Sequence, residues 1–84
     1  MTLGQIVYSK KGRDKGLAMI VIAVDGEYAY LVDGVIRPLE RPKKKKAKHI
    51  QPTNTILELA TPCGRALQDV DIRKFLAAFS GGMG

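Results

Sequence analysis

Eighty-four residues, 45% of them apolar, suffice for one small domain with a modest core, and that apolar share excludes a wholly disordered chain. A formal net charge of +6 and a pI near 9.7 point to a polyanionic partner. One cysteine and one histidine exclude a disulfide framework and a self-sufficient tetrahedral zinc site, and the longest apolar run, residues 17–24, is far below the ~20 residues a membrane helix needs. A lone cysteine and an N-terminus without a signal-peptide build place the expected location in the cytoplasm, away from membranes.

Gln5 to Ser9 (QIVYS) is a short β-rich stretch led in by Gly4. Residues 10–16 interrupt it with two glycines and four bases. LAMIVIAV (17–24) is too short for a typical helix and rich in β-branched residues, so a strand buried on both faces is expected. Asp25-Gly26 suits a type I′ hairpin, and EYAYLV (27–32) is its return strand. Asp33-Gly34 repeats the signal before Val35-Ile36-Arg37, which predicts a three-strand meander.

Pro38 cannot donate to a ladder, so the strand around it is an edge or ends there, and the lysine-rich stretch is expected to project as a loop. Residues 48–51 are a candidate closing strand and Pro52-Thr53-Asn54 a turn. Ile56, Leu57 and Leu59 predict a last extended segment. About five strands this short curl into a small barrel so that few edges stay open.

The period then changes. Ile72, Phe75, Leu76 and Phe79 fall at i, i+3, i+4 and i+7, one stripe of an amphipathic helix whose aromatic residues are packing residues. Asp69 fits the N-cap and Asp71 the first turn. Thr61-Pro62 resembles another helix start, and Cys63 reads as a small hydrophobe. The expected division is a barrel over residues 1–59 and a helical extension packed on it over 60–84, with residues 80–84 fraying.

No two carboxylates are placed as a general acid and base, and no nucleophile grouping or P-loop is present. The expectation is a protein that is not an enzyme and takes no cofactor, metal or small-molecule substrate. The bases say more. Arg37, Arg41, Lys43, Lys44, Lys45, Lys46 and Lys48 oppose only Glu40 within residues 37–49, while the other seven bases balance seven acids. Lys10, Lys11, Arg13 and Lys15 form a second basic arm around Gly12. Both arms are candidates for phosphate contact, with His49 beside Lys48 as a further contact or a turn-stabilising residue. A lysine run is also compatible with a solvated loop or a nuclear-import address. Tyr8, Tyr28 and Tyr30 lie in predicted strands, Tyr28 and Tyr30 on one face by alternation, and they could stack on bases or form barrel wall.

Residues 4–16, GQIVYSKKGRDKG, followed by the apolar strand, resemble a KOW motif: strand, glycine-centred basic loop, second strand, within an SH3-like barrel. With YAYLVDG (28–34) and KHIQPT (48–53), the chain resembles the KOW-domain RNA-binding proteins related to the archaeal and eukaryotic large-subunit ribosomal protein "fourteen-e", and especially small bacterial relatives of it. The resemblance covers residues 4–59. It implies a small SH3-like barrel of about five strands with a C-terminal helix, RNA binding without catalysis, ribosomal RNA or the ribosome as partner, and Gly12 as the central glycine of the binding loop. The alternative is a protein-interaction module of the transcription or translation machinery, docking through the helix stripe.

Overall fold

Every residue of the segment 19–22 is apolar, and the barrel is built from that fact. The computed structural model describes residues 1–13, 15–59 and 66–82, the last three by backbone alone. In strand β2 (Ala18–Asp25), Met19 and Val21 enter one hydrophobic cluster while Ile20 and Ile22 enter another. The strand is buried on both faces, as its sequence predicts. Strands β1 (Gln5–Ser9) and β3 (Tyr28–Val32) pair antiparallel on either side of it. Strand β4 (Lys43–Lys46) joins β3 and strand β5 (Ile50–Ile56) joins β1, so the sheet order is β4-β3-β2-β1-β5.

Topology forces this sheet to curl. Five flat strands at about 4.8 Å spacing would hold the outer two about 19 Å apart. Yet β4 and β5, the two edges, are joined only by a 3-10 turn at Ala47–His49, and three such residues advance about 6 Å. The edges must therefore approach at that corner. Register shifts between Val21 and Ala23 and between Gln5 and Val7 supply bends. The result is a mainly β, barrel-like fold that fits the SH3-like description.

Inside the curl lie Val7, Met19, Val21, Ala29, Leu31 and Ile50. Outside it, Ile6, Ile20 and Val32 are covered by helix α1 (Asp69–Gly82), which contributes a fully buried Ile72 and partly buried Phe75, Leu76 and Phe79. The helix docks closely: a Cβ at Gly34 would lie 2.7 Å from the Asp69 carbonyl oxygen, and Arg73 Nη1 donates to the Gly34 carbonyl at 2.8 Å. No helix among the described residues is long and apolar enough to cross a membrane.

Five details of the sheet differ from the sequence expectations. The hairpin loop is Gly26-Glu27, with Gly26 at φ +61° and no non-glycine residue at positive φ among the described residues, the pattern of a type II′ rather than a type I′ turn. Asp33-Gly34 does not repeat it. The Asp33 carboxylate accepts from the backbone N–H of Val35 at 2.9 Å and of Arg37 at 2.8 Å, folding residues 33–37 into a side-chain-closed turn instead of a strand. With Pro38 and Pro42 also lacking donors, the third meander strand is delayed to Lys43, so the lysine run is strand β4 and not a projecting loop. Pro52-Thr53-Asn54 lies within β5, an edge strand that tolerates proline, and Lys48-His49 belongs to the 3-10 turn.

The helix start is also rearranged. Gln68 caps α1: its carbonyl accepts from Ile72 N–H at 3.3 Å, and Asp71 Oδ2 reaches back to accept from Gln68 N–H at 3.0 Å. Asp69, expected at the cap, instead accepts from Leu39 N–H at 2.7 Å and ties the β3–β4 connection to the helix. Residues 80–82, expected to fray, are helical, and the preceding turn is held by Phe79, whose ring lies 6.3 Å from that of Tyr8. The readings of Thr61-Pro62, Cys63 and residues 83–84 fall outside the described residues.

Candidate functional site

The strand assignment of the lysine run decides where its charges go. Alternation sends Lys43 and Lys45 to the face shared with Leu31 and Ala29, and Lys44 and Lys46 to the face shared with Tyr30 and Tyr28. Lys45 is 9% exposed, its stem lying along the barrel interior. Its Nζ donates to Ser9 Oγ at 2.6 Å and to the Lys11 carbonyl at 2.7 Å, while Ser9 Oγ donates to that same carbonyl at 3.0 Å. Lys45 is thus the clasp between β4 and the loop after β1.

That loop is ordered by its own backbone. Gly16 N–H donates to the Ser9 carbonyl at 2.8 Å and Lys15 N–H to the Gly12 carbonyl at 3.2 Å. Gly12 sits at φ +84°, where a side chain would be strained even though its Cβ would meet only Lys45 Nζ, at an ordinary 3.8 Å. Lys10, Lys11, Arg13 and Lys15 are all exposed around it. Closed at its base and charged at its rim, the loop offers bases to solvent from a fixed frame.

A third element completes the patch. Lys10 N–H donates to the His49 carbonyl at 2.8 Å, seating the 3-10 turn against the loop. The half-buried His49 imidazole is held below its ordinary pKa of 6.5, first by lost solvation, then by the positive charges of Lys11, Lys48, Lys45 and Lys46. Those lysines come from three elements, so His49 marks the point where the two basic arms converge. An anion placed there would relieve mutual repulsion among them.

On the opposite face of β4, Lys44 Nζ lies 4.6 Å from the Tyr28 ring centre and 5.9 Å from that of Tyr30, and Lys46 Nζ lies 6.0 Å from Tyr28. Tyr8 is packed against Phe79 under the helix. Arg37 and Arg41 lie in the β3–β4 connection, where the Arg37 backbone closes the Asp33 turn and Arg41 N–H donates to the Pro38 carbonyl at 2.9 Å. The contacts that assemble the His49 patch come from other residues. Ser9 is the functional residue that the sequence reading missed. Its signal was an isolated polar side chain ending an apolar strand, at a position where alternation points inward.

No family model matches this chain, and no curated protein matches it. The geometry carries the functional argument.

Proposed function

We propose that this protein is a non-catalytic RNA-binding module that grips phosphate backbone, most naturally that of ribosomal RNA, through the Gly12 loop and the lysine strand. One observation carries the reading: Lys45 clasps the loop of residues 10–16 to residues 43–49, so charges remote in sequence face one region around His49. The resemblance of residues 4–16 to the KOW motif supports it, and so does the charge of +6. Lys10, Lys11, Arg13, Lys15, Lys46 and Lys48 are the grip, and recognition rests on RNA shape more than on base sequence. Lys45 acts from within, as a positioning residue.

Titrating a short RNA at increasing salt tests this. For about five contacted phosphates, log K falls against log salt with a slope of roughly −3.5 to −4.5. A slope near zero overturns the reading, and cosedimentation with ribosomal subunits in a sucrose gradient tests the ribosomal part. The alternative, a protein-interaction module, has one observation in its favour: Val35 and Ile36 are 68% and 64% exposed, and Val35 borders a cleft of about 460 Å³ between barrel and helix. It no longer draws on the helix stripe, which faces the barrel.

A further inference from the structure

The His49 patch leaves Tyr28, Tyr30 and Lys44 unused on the outer face of β3 and β4, the face on which Lys46 also lies. We propose that this face binds unpaired nucleotides of the RNA, with bases laid on Tyr28 and Tyr30 and phosphates held along Lys44 and Lys46. The inference rests on the RNA-binding reading above and names the form of RNA that the protein selects.

Spacing favours unpaired bases. Two residues apart on one strand face, the tyrosines stand about 6.8 Å apart, twice the rise of about 3.4 Å per nucleotide in a stacked duplex. The platform therefore suits bases drawn apart. Access favours Tyr28, which is 37% exposed; Tyr30 and Tyr8 are both half-buried, but the Tyr8 ring already has that of Phe79 beside it at 6.3 Å.

The lysines are placed to follow. In the free protein, Lys44 covers the Tyr28 ring at 4.6 Å. An exposed contact of that kind is worth roughly two- to five-fold in an equilibrium constant, against roughly five- to hundred-fold for a stacked base. A base displaces the ammonium, and the flexible stem swings it to the adjoining phosphate. Direction is set by charge. Asp25 pairs with Tyr28 from the β2 side and Glu27 precedes it, so phosphate is repelled there and drawn to the β4 side. Lys46 belongs both to this face and to the charges around His49, which makes the two surfaces continuous.

The test compares an unstructured single-stranded RNA with a blunt RNA duplex of equal length, binding to the full chain. Wild type binds the single strand more tightly. Replacing both tyrosines by leucine weakens single-strand binding roughly five- to hundred-fold and leaves duplex binding unchanged, while Tyr28→Phe with Tyr30→Phe keeps the preference. Leucine variants that bind both RNAs as wild type does overturn this inference and leave the RNA-binding reading standing. Wild type that binds neither RNA overturns both. Should the leucine variant fail to fold, the wild-type protein decides by NMR. Upfield shifts of the Tyr28 and Tyr30 ring protons with single strand, absent with duplex, support stacking, and their absence with both sinks it.

Discussion

The Lys45 ammonium lies 2.6 Å from the hydroxyl of Ser9, 36 residues away in sequence, while the neighbouring Lys44 lies over tyrosine rings on the other side of the same strand. Two adjacent and chemically identical side chains therefore do different things. Lys45 holds the Gly12 loop in place, and Lys44 is available to a ligand.

Their methionine variants should separate those roles. Lys45→Met removes hydrogen bonds to Ser9 and the Lys11 carbonyl in a buried setting, a loss of about 1–3 kcal/mol. It should lower the urea midpoint and also weaken RNA binding, because the loop loses its clasp. Lys44→Met should lower affinity while leaving stability within about 1 kcal/mol of wild type, the upper worth of an exposed cation–π contact. Equal destabilisation by both would contradict the assignment of Lys45 to the interior.

His49 gives a pH dependence whose sign is fixed. Its folded-state pKa lies below the ordinary 6.5, so on acidification the unfolded chain takes up the proton first. The His49 contribution to stability should be full above 6.5 and be lost as pH falls through 6.5 toward the lower folded value. RNA binding should run the other way. A phosphate among Lys11, Lys45, Lys46 and Lys48 raises the imidazole pKa, binding takes up a proton, and affinity increases on acidification. The chain has one histidine, so its NMR titration is unambiguous. An imidazole pKa unmoved by RNA would place the phosphates elsewhere, and His49→Gln should flatten both profiles.

Ile72 tests whether α1 belongs to the fold. It is fully buried beneath the barrel's outer face, so Ile72→Ala should cost about 2–5 kcal/mol. That is a large part of the roughly 4–13 kcal/mol expected for 84 residues. Denaturant unfolding should show one transition, shifted as a whole. A docking helix appended to an independent barrel would leave the midpoint unmoved.

How far the sequence could be read depended on whether a residue's role is set by its neighbours in the chain. LAMIVIAV declared a two-faced buried strand because apolar residues fill both alternation classes. The stripe from Ile72 to Phe79 declared its helix for the same kind of reason. Asp25 and Asp33 show the limit: each precedes glycine, yet one ends a strand while the other folds its carboxylate onto two backbone N–H groups. Lys43 to Lys46 were harder still, because lysine has little strand propensity and only pairing with Tyr28 to Leu31 makes them one. The two basic arms were visible as charge. Their meeting was not, since it depends on the curl that brings β4 within reach of Ser9.

An all-lysine edge strand has a second explanation that needs no RNA. Lysines on an edge keep a sheet from pairing with another copy of itself. Charge reversal and charge removal separate the two roles of Lys44 and Lys46. Lys44→Glu with Lys46→Glu keeps the edge charged, so the protein should stay monomeric by light scattering, but phosphate binding should collapse. Lys44→Val with Lys46→Val leaves a β-prone, uncharged edge and should both weaken RNA binding and promote self-association. If the glutamate pair binds RNA as wild type does, the lysines serve the edge alone, and the phosphate grip belongs to the Gly12 loop and the His49 turn.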